Sequence, residues 1–264
     1  DVYKRQPLVG WRAALEGYRR AMDYTALLDL FDDIASGIRD QLDRLHDWGA
    51  ADGHASQYRH DVVADAVALP RLIDAGLGVV SEESGTHFLD RDIIAVIDPI
   101  DGSTNASIGL PWYATSIAAV DGDGLAASLV VNQALGVTYT AIRGEGAWRD
   151  GAAISPSLCL ELSDAIVVVN DLPPRLGARQ FRVYGAAALD LCAVADGTFD
   201  GFADCGVGLA PWDYLGALLV CIEAGAAVGA TTETELITTD PAVRVRPVVA
   251  STVPVRDELL AAVS

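Results

Sequence analysis

The feature that most restricts this chain is an apolar run, Ile93-Ile94-Ala95-Val96-Ile97, that stops abruptly at Asp98. It is continuous and mostly β-branched, so it predicts a buried strand rather than one with a wet face. The polar segment Asp98-Pro99-Ile100-Asp101-Gly102-Ser103-Thr104-Asn105 comes directly after it. Pro99 restricts Asp98 to extended geometry and so holds its carboxylate at the strand end. Ile100 can offer a backbone carbonyl to a cation. Gly102 lets the backbone pass close to a ligand, and the amides of Gly102, Ser103 and Thr104 can face a phosphate at a helix N-terminus. The hydroxyls of Ser103 and Thr104 can orient a water. The same composition also builds Asx and Ser/Thr turns with capping residues, so the segment alone leaves both readings open.

Around this run the pattern changes character twice. From about Leu15 to Leu45 apolar residues recur at three and four, which predicts one amphipathic helix or two in series. Gly49 to Gln57 reads as a loop, and a second helix is expected over about Asp61 to Ala75. Leu77 to Val80, Thr115 to Val120, Ala126 to Asn132 and Val137 to Ile142 read as strands. The turn signal Asp121-Gly122-Asp123-Gly124 makes an antiparallel meander of the last three. Ala165 to Val169, Phe199 to Phe202 and Arg244 to Ser251 are further strands. Helices are expected over Gly185 to Ala195, Trp212 to Ala226 and Asp257 to Val263. The shift to alternating strand and helix falls between Ser155 and Ser163. It divides the chain into an N-terminal α+β unit, 1–155, carrying most candidate ligands, and a C-terminal α/β unit, 156–264, that completes the site.

The formal net charge is −19. Nucleic acid and anionic lipid attract clustered Lys and Arg, so neither partner is expected. No apolar run is long enough for a membrane span. Lys4 is the single lysine, which excludes Schiff-base and phosphate-loop lysine chemistry from the body of the chain. It lies in Asp1 to Gln6, a stretch read as truncated or non-native because it is unlike the rest of the chain. Cys159, Cys192, Cys205 and Cys221 show no Cys-x-x-Cys spacing and suit a reducing cytoplasm, the expected compartment.

Three acidic groups sit where the chain changes direction: Glu82 with Glu83 after a predicted strand, Asp98 with Asp101 after the next, and Asp213 at a predicted helix start. Carboxylates at strand ends can converge in space although distant in sequence. Hard cations such as Mg2+ take this oxygen chemistry, with few protein ligands and several retained waters. Three other designs for phosphate chemistry do not fit. There is no Gly-Lys-Ser/Thr, the histidines lack metal-clip spacing, and the strand-end aspartates are three apart rather than two. Beside these, His60 reads as a hydrated loop histidine, Trp212 as a packing anchor and Glu223 as structural; Glu83 is either a second partner at the site or a solvated neighbour.

The octapeptide resembles the Asp-Pro-(Ile/Leu/Val)-Asp-Gly-(Ser/Thr)-Thr-Asn signature of the inositol monophosphatase family of Mg2+-dependent, lithium-sensitive phosphatases. The family's second signature is similar to Trp212-Asp213-Tyr214-Leu215-Gly216 through Glu223-Ala224-Gly225. Val79 to Ser84, Arg143 to Ala147 and Gly185 to Asp190 match further blocks, so the resemblance runs in order from about Leu28 to the C-terminus. It implies the layered αβαβα sugar-phosphatase fold, of mixed α/β class, and a phosphomonoesterase. Two or three Mg2+ would be bound by Glu82, Asp98, the Ile100 carbonyl, Asp101 and Asp213. Glu82 and Ser103 would position the attacking water, with Asp61 as remote acid or third-metal ligand. Gly102 and Ser103 would hold the phosphate, beside Thr104, Asp101 and Asp213, while Gly185, Ala186 and Ala187 would line the substrate. A homodimer is the family expectation.

The sequence departs from that pattern in places. Ser81 stands where the family has Gly before the Glu pair. Gln57-Tyr58-Arg59-His60-Asp61 replaces a Thr-x-x-Asp element, which leaves Asp61 and Asp65 both open as the remote acid. Ala186 stands where Ser or Thr is usual. The family's inositol-binding Glu falls on Asp204 or Gly206, depending on the direction of counting. Inositol 1-phosphate heads the expected substrates; fructose 1,6-bisphosphate, histidinol phosphate and 3′-phosphoadenosine phosphate are alternatives. A non-catalytic, Mg2+-responsive regulatory protein on the same fold is the alternative of a different class.

Overall fold

The computed structural model of the chain describes residues 24–51, 57–173, 175–232 and 235–264. Two helices open it, α1 (Tyr24–Leu42) and α2 (Arg59–Asp74). The expected helical stretch before residue 24, the first six residues and part of the Gly49 to Gln57 loop lie outside the described residues. A first sheet then forms from β1 (Gly78–Ser81), β2 (Gly85–His87), β3 (Ile94–Asp101), β4 (Ala114–Asp121), β5 (Gly124–Asn132), β6 (Thr138–Ile142), β7 (Gly146–Arg149) and β8 (Ala152–Ala153), with the short helix α3 (Ser103–Ser107) after β3. Its spatial order is β2-β1-β3-β4-β5-β6-β7-β8, parallel only at β1–β3, and β4 to β6 form the expected meander.

The second sheet has the order β10-β9-β11-β13-β12. Its strands are β9 (Ile166–Val169), β10 (Gln180–Arg182), β11 (Gly201–Ala203), β12 (Ala227–Ala230) and β13 (Pro247–Ala250). Among them run α4 (Ala187–Ala195), α5 (Pro211–Ala224) and α6 (Val253–Val263). Helix α6 starts four residues before its expected Asp257, because Pro254 sits comfortably in a first turn.

Three hydrophobic layers hold these parts together. Alternate residues of β3 go to opposite sides: Ala95 and Ile97 pack on α1 and α2, and Ile94 and Val96 pack toward α4 and α5. That two-sided burial is why the run lacks polar alternation. The middle layer joins the first sheet to α4, α5 and, through Val168, Phe202 and Val249, the second sheet. The third lies between the second sheet and Val255, Leu259 and Val263 of α6. The result is the αβαβα stack. Fully buried Ile34, Ile38, Ile97 and Ile117 each gain about 1.5–3 kcal/mol by leaving water.

One glycine decides how close two layers come. A Cβ on Gly216 would strike Ser116 Oγ and crowd the Ile117 backbone, so α5 rests directly on β4 only because position 216 has no side chain. Glu223, at the other end of α5, accepts the Gly144 and Gly146 amides at 2.8 and 3.1 Å and pins the β6–β7 turn. Its expected structural role thus has a definite partner.

Candidate metal centre

Each acidic residue of interest is delivered by the end of an element. Between Asp98 and Asp101 the β3–β4 register slips by one residue: Asp98 faces Ser116 and Asp101 faces Ala114. The bulge re-aims the strand end. Asp98 Oδ1 accepts the Ile100 amide at 2.9 Å, closing an Asx turn around Pro99. Thr115 Oγ1 donates to the Pro99 carbonyl at 2.8 Å and accepts Gln133 Nε2 at 2.8 Å, while Gln133 also donates to Ala35 of α1 at 3.1 Å. These buried polar side chains back the turn. No sequence pattern marks them, because Thr115 and Gln133 resemble any residues at strand ends.

Asp213 is the third residue of α5. Its Oδ2 accepts the Ala210 amide at 2.7 Å, as a helix-start carboxylate does. Glu82 leaves β1 in the turn toward β2. One carboxylate oxygen from each of Glu82, Asp98 and Asp213 lies within 4.8 Å of the others. Asp101 is buried beside them. Its Oδ2 accepts the Ala188 amide of α4 at 2.7 Å, and its own acidity responds to the charges of Asp213 and Glu82.

The acidities record the crowding. Burial pushes Asp213 up to about 6, with the Ala210 amide and the Arg244 charge pulling the other way. Glu82 is open to solvent as a residue, yet the protein massed around its carboxyl, then the charges of Asp213 and Glu83, raise it to about 7. Asp98 and Asp101 are raised by burial and then by their acidic neighbours. Carboxyls gathered this closely repel one another unless protonated or met by a cation. An all-oxygen set of this kind fits a hard divalent ion such as Mg2+ and not a soft one.

Asp61 and Asp65, both open from sequence, have different surroundings. Asp61 Oδ1 lies 2.7 Å from Ser103 Oγ, which donates to it and also lies 2.9 Å from the Ile100 carbonyl. Asp61 Oδ2 accepts the Tyr58 amide at 3.1 Å. Asp65, one turn further along α2, instead accepts Ser81 Oγ at 2.6 Å and Ser84 Oγ at 3.1 Å, gripping both sides of the Glu82-Glu83 turn. Gln57 donates to Glu83, so Glu83 has a protein partner rather than solvent alone. His60 is no hydrated loop residue. It is wholly buried on α2, stacked on Tyr58 at 5.1 Å and tilted against Trp48 at 5.2 Å, and burial lowers it to about 4. Apolar periodicity missed this because the helix starts at Arg59, two residues before the expected Asp61.

The remaining candidates surround this core. Gly102 has a φ of 89°, and a Cβ there would meet Ala186 Cβ and the Trp112 carbonyl at 3.0 Å, so α3 and the Gly185–Ala187 segment touch through a glycine. Asn105 Nδ2 donates to the Trp112 and Tyr184 carbonyls, both at 2.7 Å, tying the same segments. Thr104 and Gly185 are exposed; Ala186 and Ala187 are buried. Asp204 is fully buried, with Oδ1 accepting the Gly206 amide at 2.7 Å and Oδ2 without a partner among the described residues. It is not among the gathered oxygens, though its charge reaches Asp213. Trp212 packs against the middle layer, as an anchor does.

Five stacked layers, with acidic side chains gathered where β3, the β1 turn and α5 meet, define a layered α/β class of protein with a candidate hard-cation centre. The inositol monophosphatase family model matches residues 71–264, and the chain belongs to that family. It is 32% identical over 219 residues to the fructose-1,6-bisphosphatase/inositol-1-monophosphatase of Archaeoglobus fulgidus, covering 78% of this chain and 85% of that protein. It is 35% identical over 169 residues to the Nus factor SuhB of Salmonella typhimurium, a match that spans 57% of this chain and only 61% of that relative. Among solved structures, the inositol-1 monophosphatase-like protein PH1897 of Pyrococcus horikoshii superposes with a TM-score of 0.81 at 23% identity, covering 91% of this chain and 98% of that one. SuhB of Bartonella henselae gives 0.77 at 26% identity, covering 90% and 99%. These likenesses bear out the layered fold. No helix among the described residues is long and apolar enough to cross a membrane.

Proposed function

We propose that this chain is a Mg2+-dependent phosphomonoesterase acting on a small polyol or sugar phosphate, with inositol 1-phosphate first among the substrates to test. The observation that carries this reading is the approach of Glu82, Asp98 and Asp213 to within 4.8 Å, with the Ser103–Asp61 pair alongside. In this reading Glu82, Asp98, the Ile100 carbonyl, Asp101 and Asp213 hold two or three Mg2+. When bound, the ions supply charge neutralisation for a phosphoryl group whose transition state spreads negative charge over its oxygens.

The chain's own groups do the rest. The amides of Gly102 and Ser103 hold the phosphate, and Thr104 flanks it. Glu82 and Ser103 orient the attacking water in line with the leaving oxygen, and Asp61 fixes the Ser103 hydroxyl and its proton. Asp101 and Asp213 bound the substrate on one side, Gly185, Ala186 and Ala187 on another. Asp204 shapes the loop base nearby. No covalent nucleophile is required.

A second reading comes from the name of the Salmonella relative, a Nus factor: a Mg2+-responsive regulatory protein without turnover. The intact Ser103–Asp61 pair favours the enzyme, because a purely regulatory chain has no use for a positioned water. Phosphate release measured with inositol 1-phosphate, fructose 1,6-bisphosphate, histidinol phosphate and 3′-phosphoadenosine 5′-phosphate decides between them. The enzyme reading expects Mg2+-dependent release that EDTA abolishes and Li+ suppresses. No release from any substrate would leave the regulatory reading.

A further inference from the structure

Arg244 is fixed at the edge of this centre by contacts that leave its charge free. Its guanidinium lies 5.8 Å from the ring centroid of Trp212, the neighbour of Asp213 in the chain. Its Nη1 donates to the Pro241 and Val243 carbonyls at 2.8 and 2.9 Å. The next residue, Val245, forms a two-bond antiparallel bridge with Leu209, at 2.7 and 2.9 Å, in the loop leading into α5. Gly208, at a φ of 99°, lets that loop lie flat on Arg244, since a Cβ there would meet Arg244 Cβ at 2.9 Å. The side chain is therefore built into position, yet it is exposed.

Arg39, Arg91, Arg182 and Arg246 are likewise held without an acid partner among the described residues; what sets Arg244 apart is its place, against Trp212 and beside the loop that leads to Asp213. Arg143, Arg149 and Arg256 each pair with an aspartate, at 2.6 to 2.8 Å. In a chain of net charge −19, Arg244 forms no ion pair among the described residues, and its charge is felt at Asp213. A held, unpaired guanidinium beside a phosphate-handling site is suited to planar recognition of another phosphate or carboxylate.

We infer that Arg244 is a specificity-determining residue that binds a second anionic group on the substrate, so that the site prefers a phosphomonoester carrying another phosphate to a neutral polyol phosphate, and disfavours one carrying an ammonium. This rests on the phosphatase reading above. The substrates on the test panel sort by that remote charge: fructose 1,6-bisphosphate and 3′-phosphoadenosine 5′-phosphate carry a second phosphate, inositol 1-phosphate carries none, and histidinol phosphate carries an amine.

The test is the ratio of kcat/KM for each bisphosphate to kcat/KM for inositol 1-phosphate, in wild type, Arg244→Lys, Arg244→Ala and Arg244→Glu. The ratio is expected to fall about tenfold in Arg244→Ala, further in Arg244→Glu, and least in Arg244→Lys, with the loss carried by KM and shrinking at high salt. The histidinol phosphate ratio should rise in Arg244→Glu. If one bisphosphate responds and the other does not, the responder identifies the geometry of the second anion and supports the inference. Ratios that stay constant while inositol 1-phosphate is turned over would overturn it and leave the phosphatase reading standing. An absence of turnover of every substrate by the wild type overturns both.

Discussion

Ser103 Oγ lies 2.7 Å from Asp61 Oδ1, a contact that joins the start of α3 to the first turn of α2 across 42 residues of sequence. The same hydroxyl is 2.9 Å from the carbonyl of Ile100, a proposed cation ligand. In the proposed mechanism this hydroxyl orients the attacking water while Asp61 accepts its proton in a hydrogen bond. Ser103→Ala and Asp61→Asn are each expected to lower kcat about 10²–10³-fold, with smaller changes in KM. Both should unfold within a few degrees of wild type. Steady-state phosphate release and a melting curve measure the two effects. A wild-type kcat in either variant would remove the pair from the mechanism.

The raised carboxyls make stability depend on pH and metal together. A carboxyl that titrates higher in the folded chain than in the unfolded one gives the folded state more bound protons between the two values. Stability therefore falls as pH rises through that window. The window runs from the usual 4.5 to about 7 for Glu82 and from 3.8 to about 6 for Asp213. The EDTA-treated protein is expected to melt on the order of 5 °C lower at pH 8 than at pH 5.5. Mg2+ should recover most of that loss at pH 8 and little at pH 5.5, where protons already occupy the oxygens. Melting curves at both pH values, with and without Mg2+, check this.

Asp190 gives a separate handle, because it lies outside the set of proposed ligands. Burial raises it to about 8, with the Trp112 indole N–H, donated at 2.8 Å, partly opposing the shift. Its window runs from 3.8 to about 8, so the folded state must keep this acid protonated at neutral pH. Asp190→Asn retains an acceptor for Trp112 and removes that demand. The variant should melt about 4 °C above wild type at pH 8, with or without Mg2+, and no higher at pH 4. Differential scanning calorimetry at the two pH values tests it.

The Ser81 departure from the family pattern acquires a physical meaning through Asp65. Two hydroxyls and one buried carboxylate, at 2.6 and 3.1 Å, grip the turn that carries Glu82. Loosening such a support weakens metal binding more than it weakens the fold. Asp65→Asn is expected to raise the Mg2+ half-saturation concentration about tenfold, and Ser81→Gly by less, since Ser84 still binds Asp65. Titration of activity with Mg2+ and of the metal-free protein by calorimetry should agree.

Much of this arrangement is legible in the sequence, for reasons that differ by residue. The run from Ile93 to Ile97 shows two-sided burial because every position is apolar, and Asp98-Pro99 marks its end by chemistry and backbone restriction. Gly216 and Glu223 occupy motif positions whose contacts, Ser116 and the Gly144–Gly146 turn, emerge only once α5 lies on the first sheet. Strands β10 and β12 escape notice because Gln180–Arg182 and Ala227–Ala230 are short edge strands with little apolar pattern to read. Asp61 and Asp65 cannot be separated by type or spacing; four residues apart on α2, they differ only in which loop each one reaches. His60 illustrates the same limit, since its burial comes from its ring contacts with Trp48 and Tyr58.

In the proposed site Glu82, Asp98, Asp101 and Asp213 form one divalent-cation centre. Calorimetric titration of Mg2+ into metal-stripped wild type and into Asp213→Asn tests it most directly. Saturable binding of two or three ions to the wild type is expected, with at least one ion lost or weakened about tenfold or more in Asp213→Asn while the fold is retained. Identical isotherms for the two proteins would contradict it.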